Sequence, residues 1–318
     1  MRTIERMAEL LEPVEGLEHK QVRSGNLGSI ERDSGHASAR DASGSAHARD
    51  LAAQLEADVI AGEFKSRTIP AGLAGEAPEA FKIDREHLRR QSIITPEAER
   101  TPNSESFRRI KRQVLAKVSR AGTGGRANLI MVTSALPGEG KTFCAVNLAI
   151  SMAMEMDRTV LLVDADVAKP SVPKVLGIKA TRGLLDVLLD RKIDLAEVLR
   201  KTDINKLTLL PAGTPNAHAT ELLASNAMGT LLGEIAERYA DRVVIFDSPP
   251  LLAASEAGVL ANRAGQIVMV VEAGKTSEAV LKAALGRIDT SNVTGLLLNK
   301  AEAPALRYDY GEYGNLAK

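Results

Sequence analysis

The chain has 318 residues, with 41 basic and 41 acidic side chains and a formal net charge of zero. This balance argues against a nucleic-acid partner and against electrostatic attachment to an anionic membrane. A single cysteine excludes an intrachain disulfide, and no apolar run approaches the ~18 residues of a membrane-spanning helix. We therefore expect a cytoplasmic protein with one large domain and extensions.

The first hundred residues are predicted to form no domain of their own. Residues 1–12 place apolar side chains at helical spacing between charged ones, which predicts a short amphipathic helix. Residues 13–100 are mostly small, polar or charged, with a short apolar patch at Leu88–Ile94 that could pack against another part of the chain. Such a composition buries too little apolar surface to offset the entropy of ordering, so a largely disordered linker is expected.

An amphipathic helix is predicted near the start of the ordered domain, over residues 104–115. A proline and a serine typical of a helix start come first, and apolar side chains follow at helical spacing. The opposite face is predicted to carry four charged side chains, Glu105, Arg108, Lys111 and Arg112. These charges are in themselves typical of a solvated helix surface with weak i,i+3 pairs.

A glycine-containing loop, Ser134–Thr142, lies between a strand-like run and a helix-like run. Strand, loop, Gly-Lys-Thr and helix in this order are typical of a phosphate-binding loop, although an ordinary glycine-rich turn is the alternative. Gly138 and Gly140 let backbone N–H groups face phosphate oxygens. Lys141 can reach the β- and γ-phosphates, and the Thr142 hydroxyl can ligate Mg²⁺. The residues predicted to contact the nucleotide here are Pro137, Gly138, Glu139, Gly140, Lys141, Thr142 and Phe143.

Polar side chains end three further apolar runs that are typical of buried parallel strands. Asp164 and Asp166 follow the second such run, Asp247 follows the third, and Asn299 follows the last. The carboxyl edge of an open α/β sheet is where ligands bind, so Asp247 suits a role in holding Mg²⁺. Each acid could instead cap the next turn. Asn299 could contact a purine base or cap a turn.

The alternation of strand-like and helix-like segments predicts the fold class. It is α/β, with a mostly parallel central sheet flanked by helices, over residues 101–304. The remaining strands are expected at 207–210, 266–271 and 293–298. Helices are expected at about 141–155, 183–190, 194–201, 219–239, 254–262 and 276–289.

The last segment, residues 305–318, is a polar tail with three tyrosines. Tyr308, Tyr310 and Tyr313 are separated by acidic residues and glycine. A chain end of this composition is expected to be flexible. The tail could be a docking strand or an uninformative end, but a phenol on a flexible arm could also enter an active site and accept phosphate.

Taken together, these motifs resemble the bacterial protein-tyrosine kinases of exopolysaccharide biosynthesis, phosphate-loop NTPases near the Min and Par ATPases. The resemblance covers residues 101–318. It rests on Ser134–Thr142 as Walker A, Val160–Pro170 as the second acidic motif, Val243–Pro250 as Walker B, and the tyrosine tail. Residues 92–115 are most similar to the subgroup associated with exosortase-type exopolysaccharide loci.

The resemblance implies an ATP- and Mg²⁺-dependent autokinase and a role for each acid. Asp164 would polarise the attacking phenol, while Asp166 and Asp247 would organise Mg²⁺. Lys141 would stabilise the charge on the transferring phosphoryl group.

The resemblance also implies an assembly. Glu105, Arg108 and Lys111 match a helix motif that packs subunits into a ring, so that one subunit's tail enters a neighbour's site. Lys111 stands where the family usually has arginine, which removes a bidentate contact. A membrane chain-length regulator of polysaccharide export would be a separate polypeptide, and it would recruit this protein to the inner face of the plasma membrane.

Two other functions fit parts of the same pattern. One is a Min- or Par-type positioning ATPase. Such proteins usually carry a signature lysine five residues before the catalytic one, where this chain has Leu136. The other is a nucleotide-regulated scaffold for polysaccharide export. The tyrosine tail and the absent lysine favour the kinase.

Overall fold

Seven strands form one sheet in the computed structural model, which describes residues 80–97, 101–121, 126–179, 181–238 and 242–301. The strands are β1 (Leu129–Ser134), β2 (Thr159–Asp164), β3 (Arg200–Lys201), β4 (Leu207–Leu210), β5 (Arg242–Asp247), β6 (Gln266–Glu272) and β7 (Val293–Asn299). All neighbouring strands are parallel except β3 and β4. The predicted fold class is confirmed.

Helices cover the sheet and connect its strands. They are α1 (Arg85–Arg90), α2 (Pro102–Ala121), α3 (Lys141–Ala153), α4 (Val172–Leu176), α5 (Leu184–Leu189), α6 (Leu195–Val198), α7 (Ala219–Ala224), α8 (Asn226–Arg238), α9 (Ser255–Ala261) and α10 (Glu278–Leu285). Two 3₁₀ turns, Arg126–Asn128 and Thr290–Asn292, precede β1 and β7. None of the helices in the described part of the chain is long and apolar enough to cross a membrane.

The strand β1 lies at the topological switch point of the sheet, with β2 on one side of it and β6 on the other. The order is β3-β4-β2-β5-β1-β6-β7, so β5 and β6 lie on either side of β1. Ligands of open α/β sheets bind in the crevice beyond the carboxyl ends of the strands at such a point. The loop after β1 therefore lies beside the carboxyl ends of β5 and β6, and the ends of β2 and β7 lie one strand further out.

Two of the predicted helices are cut short or divided by a residue with an extended backbone. The helix expected at 194–201 ends at Val198, because Leu199 is extended and the chain then pairs with β4 as β3. The helix expected at 219–239 is broken at Ser225, whose extended backbone separates α7 from α8. The Ser225 hydroxyl accepts a hydrogen bond from Met228 N at 3.3 Å, which starts the second helix.

Residues 80–97, here called the N-terminal arm, pack on the domain and do not form part of a linker. Phe81 bridges to Thr202 beside β3, and its N–H donates to Lys201 O at 2.9 Å. The apolar side chains of the arm join the core on the α3 side of the sheet; they are Ile83, Leu88, Ile93 and Ile94. The prediction of a linker extending to residue 100 was therefore wrong, because these side chains bury against the surface of another element.

Replacing Leu88 by alanine measures how much the arm contributes to stability. Leu88 is fully buried in the α3-side core, so Leu88→Ala should lower the free energy of unfolding by about 2–4 kcal/mol. Arg90→Ala, in the same helix and exposed, should change it by less than about 0.5 kcal/mol. Urea denaturation followed by circular dichroism tests this, and equal effects of the two variants would contradict the packing.

Several predictions fall on residues outside the described ranges. They concern the helix at residues 1–12, the linker up to residue 79, and the tail at 305–318 with Tyr308, Tyr310 and Tyr313.

Candidate active site

The loop after β1 has the backbone geometry that the phosphate-loop motif requires. Gly138 and Gly140 have φ of +88° and +93°, in the left-handed region that favours glycine. Gly140 is the N-cap of α3, whose first residue is Lys141. The N-terminus of this 13-residue helix and its partial positive charge therefore face the crevice.

Glu139 stabilises the loop through its side chain. It is 2% exposed. One carboxylate oxygen accepts a hydrogen bond from Leu136 N at 2.7 Å, and the other accepts one from the Thr276 hydroxyl. The loop is thus tied to the segment after β6, which the sequence did not indicate.

Two residues at the end of β7 also hold the loop. The Asn299 amide donates to Glu139 O at 2.8 Å. The Lys300 ammonium donates to Gly138 O at 2.8 Å and lies 3.3 Å from a carboxylate oxygen of Glu272. Sequence reasoning missed Lys300, although its position beside Asn299 at the sheet edge was a signal. Asn299 thus lies beside the phosphate loop, where its side chain contacts the backbone of Glu139.

The sheet register brings two of the predicted carboxylates side by side. Asp164 on β2 is paired with Asp247 on β5, and both are fully buried. One oxygen of Asp164 accepts hydrogen bonds from the N–H groups of Ser171 and Val172, at 3.1 and 3.0 Å. Its other oxygen, and both oxygens of Asp247, have no hydrogen-bond partner among the described residues. Asp164 therefore caps a turn and still presents one unused oxygen.

Burial changes the proton affinity of this pair. It raises the pKa of Asp164 to about 8, and the neighbouring Asp247 carboxyl acts in the same direction. Burial likewise raises the pKa of Asp247 to about 7, although the Lys141 ammonium and the Thr142 hydroxyl act to lower it. Without a cation, the site therefore holds protons near neutral pH.

Lys141 and Asp166 form an ion pair at the mouth of the loop. The ammonium lies 2.6 Å from one oxygen of Asp166, whose other oxygen accepts from Lys169 N at 3.2 Å. Both charged groups act on the buried Asp247 carboxyl: the Lys141 ammonium lowers its pKa and the Asp166 carboxylate raises it. The structure thus brings together Lys141, Thr142 and the acids 164, 166 and 247.

This donor set fits a magnesium ion that also binds phosphate. Mg²⁺ is usually held by one or two carboxylates with water and substrate phosphates, and not by a cage of protein ligands. The unpartnered oxygens of Asp247 and the adjacent Thr142 hydroxyl meet that need. Within the described ranges no cluster of three or more His, Cys, Asp or Glu residues could hold a metal alone.

The motif on α2 is only partly exposed. Glu105 and Arg108 form an ion pair at 3.0 Å on the surface of the helix. Lys111 is 7% exposed, pairs with Glu155, and donates to Ser151 O at 3.1 Å. Its predicted place on the exposed face was therefore wrong, and its spacing of four residues from buried Phe107 was the available signal. A subunit contact through Lys111 would require this intrachain pair to open.

Phe143, also predicted to contact the nucleotide, faces α2. Its ring packs edge-on against Phe107 with a centroid separation of 6.2 Å. The first turn of α3 is thereby fixed to α2 through apolar contact.

The fold and site define a phosphate-loop nucleoside-triphosphatase domain. A protein-family model described as "AAA domain" matches residues 127–294. The chain is 33% identical over 238 residues to the tyrosine-protein kinase YwqD of Bacillus subtilis, which covers 74% of this chain and 96% of that protein. It is 32% identical over 246 residues to the succinoglycan biosynthesis transport protein ExoP of Rhizobium meliloti, covering 71% of this chain.

A solved structure shows the same similarity. The BceF tyrosine kinase domain superimposes with a TM-score of 0.52 at 30% identity, covering 61% of this chain and 76% of that one. This chain spans 30% of ExoP and 26% and 30% of two other relatives, which are longer proteins. The chain belongs to the bacterial protein-tyrosine kinase family, which confirms the predicted family and enzyme class.

Proposed function

We propose that the chain is an ATP- and Mg²⁺-dependent protein-tyrosine autokinase that regulates exopolysaccharide synthesis or export. The observation that carries this proposal is the convergence of Lys141 with three strand-end acids, Asp164, Asp166 and Asp247, beside a phosphate loop. The names of YwqD and ExoP support the kinase activity and the link to polysaccharide.

Each residue has a distinct role in the transfer. The loop N–H groups and Lys141 hold the phosphates. Thr142, Asp166 and Asp247 would hold Mg²⁺, which would supply positive charge against the transferring group. The phenolic oxygen bonds to the γ-phosphorus as the bond from that phosphorus to the ADP oxygen breaks. Asp164 accepts the phenolic proton in its ionised form, and a cation bound beside it would favour that form by opposing the rise in pKa that burial causes. Asn299 lies beside the loop, where a base contact would accompany its bond to Glu139.

The acceptors in this proposal are Tyr308, Tyr310 and Tyr313 of a neighbouring subunit. The exposed Glu105 and Arg108 pair on α2 offers a ring contact, while Lys111 fixes α2 to the end of α3. A separate membrane chain-length regulator would bring the protein to the cytoplasmic face of the plasma membrane.

Phosphorylation mapping tests the proposal. Purified protein incubated with ATP and Mg²⁺ should gain phosphate on the tail tyrosines, as detected by mass spectrometry. Lys141→Met should reduce it by about 100-fold or more, because charge stabilisation in the transition state is lost. Lys201→Met, which changes an exposed lysine of β3, should leave it unchanged. ATP hydrolysis with unmodified tyrosines would favour a positioning ATPase, and no activity of either kind would favour a scaffold.

Mixing two variants tests transfer between subunits. A Lys141→Met chain with its tail intact should become phosphorylated when mixed with an active chain that lacks residues 305–318. A Lys141→Met chain that stays unmodified in this mixture would contradict transfer in trans, even if the wild-type chain phosphorylates itself.

A further inference from the structure

A cavity of about 820 Å³ lies outside the phosphate loop. Its walls come from the N-terminal arm, the first half of α2 and the last turn of α3 with the residues after it. Ser151, one of its lining residues, is ten residues along α3 from Lys141, a distance of about 15 Å. The cavity is therefore separate from the site where phosphate is transferred.

The charge of the cavity wall favours an anion. Four basic side chains line it, and Glu155 is the only carboxylate among the described residues that do so; the four are Arg89, Arg108, Lys111 and Arg112. Glu155 pairs with Lys111, and Arg108 pairs with Glu105 outside the cavity wall. Arg89 and Arg112 are exposed at the rim. Guanidinium groups bind phosphate oxygens through paired, charge-assisted hydrogen bonds.

A buried hydroxyl in the same wall points to a missing partner. Thr95 lines the cavity, is 1% exposed, and its Oγ1 has no hydrogen-bond partner within the described part of the chain. Buried hydroxyls are almost always hydrogen-bonded, so a polar ligand atom in this cavity would supply the partner that Thr95 lacks. The basic side chains indicate an anion, and a phosphate oxygen would satisfy the hydroxyl as well.

The rest of the wall is mixed. Its apolar part comes from Ile93, Ile94 and Met154, beside hydroxyl and amide side chains such as Ser104 and Asn103. An aromatic ring would cover Met154, which is 42% exposed, while inorganic phosphate would leave it uncovered. An aryl phosphate, with an apolar ring and a dianionic head, matches both parts of the wall.

We propose that this cavity binds phosphotyrosine from the tail of this chain, residues 305–318, after autophosphorylation. The proposal rests on the proposed function for the source of the phosphate and on the cavity for its recognition. The occupied cavity would engage Arg108 and Lys111, two residues of the motif that we associate with subunit packing. Phosphorylation would then move the tail from the acidic transfer site to a basic site on α2.

Synthetic peptides separate this binding from catalysis. The host is the full chain carrying Lys141→Met, and the probes are fluorescent peptides of residues 305–318 with and without phosphate on their tyrosines. The phosphopeptide should bind at least about 10-fold more tightly in fluorescence anisotropy, as charge-assisted hydrogen bonds predict. In the wild-type chain, saturation with Mg²⁺ and ADP should leave this affinity unchanged, because the transfer site is elsewhere.

Variants locate the binding site. Arg89→Gln with Arg112→Gln should weaken phosphopeptide binding by about 10-fold or more, and Thr95→Val should weaken it by a smaller factor without removing any charge. Arg120→Gln, also on α2 and exposed but not a lining residue, should have no effect. Phenyl phosphate should compete better than inorganic phosphate.

Three results would overturn the proposal. They are equal affinity for the two peptides, an affinity that the Arg89 and Arg112 changes do not alter, and competition by inorganic phosphate as strong as by phenyl phosphate. Because the peptides are already phosphorylated, none of these results depends on whether the chain is a kinase. Failure of the proposed function would instead appear as absent phosphate in the mapping experiment.

Discussion

Asp247→Asn should make the chain more stable at pH 8 while reducing tyrosine phosphorylation by about 100-fold or more. Both effects have the same origin. Asp247 is fully buried beside Asp164, and its two oxygens have no hydrogen-bond partner among the described residues. A carboxylate in this position suits Mg²⁺, but without a cation it opposes folding.

The pH dependence of this effect has a definite sign. The pKa of Asp247 is raised from 3.8 to about 7 in the folded chain. Between these values the unfolded chain has released a proton that the folded chain keeps, so stability falls as pH rises. This loss of folding stability is complete above the pKa of Asp247 in the folded chain, and it is absent below the pKa of Asp247 in the unfolded chain. The amide introduced by Asp247→Asn cannot ionise, so the gain in stability should grow from pH 4 to pH 8, reaching roughly 1–3 kcal/mol.

Chemical denaturation at pH 4, 6 and 8 without Mg²⁺ measures this gain. Asp157→Asn, which removes the same charge from an exposed loop, should change stability by less than about 0.5 kcal/mol at each pH. Adding Mg²⁺ and ADP should stabilise the wild-type chain more than the variant. A variant that is less stable than wild type at pH 8 would contradict the proposed role of burial.

The sheet was predictable because its strands are buried on both faces. Such strands are nearly continuous apolar runs, and β4, for example, has the predicted bounds Leu207–Leu210. The N-terminal arm was not predictable in this way. Its apolar side chains are spaced among charged ones, and the buried amide of Ile94 finds its partner in Asn147 of α3, 53 residues away. Only the folded surface of α3 supplies that partner.

In the candidate site, too, some features could be predicted from the sequence and others depend on the folded structure. Lys141, Thr142 and the strand-end acids could be predicted, because phosphate chemistry requires those residue types at those places. The contacts of Glu139 with Thr276 and of Lys300 with Gly138 could not, because they depend on how β6 and β7 are placed beside β1. The arrangement that holds the loop is therefore a property of the sheet and not of the motif.

Gly140→Ala should abolish most nucleotide binding, because this glycine is required for two separate reasons. Its φ of +93° costs an L-residue about 1–2 kcal/mol. A Cβ at this position would also overlap the Asn299 amide, which donates to Glu139 O. We expect affinity for a fluorescent ATP analogue in the presence of Mg²⁺ to fall by about 10-fold or more from the backbone strain alone, with a further loss from the overlap.

Gly138→Ala is a matched control, because it separates the two causes. Gly138 has a similar φ of +88°, but a Cβ there would have nothing within 4 Å. Its effect should therefore report backbone strain without overlap, and it should be smaller than that of Gly140→Ala. Combining Gly140→Ala with Asn299→Ala removes the overlap, so the double variant should bind better than the sum of the single losses predicts. Strict additivity, or equal losses at Gly138 and Gly140, would mean that Asn299 does not determine the shape of the loop.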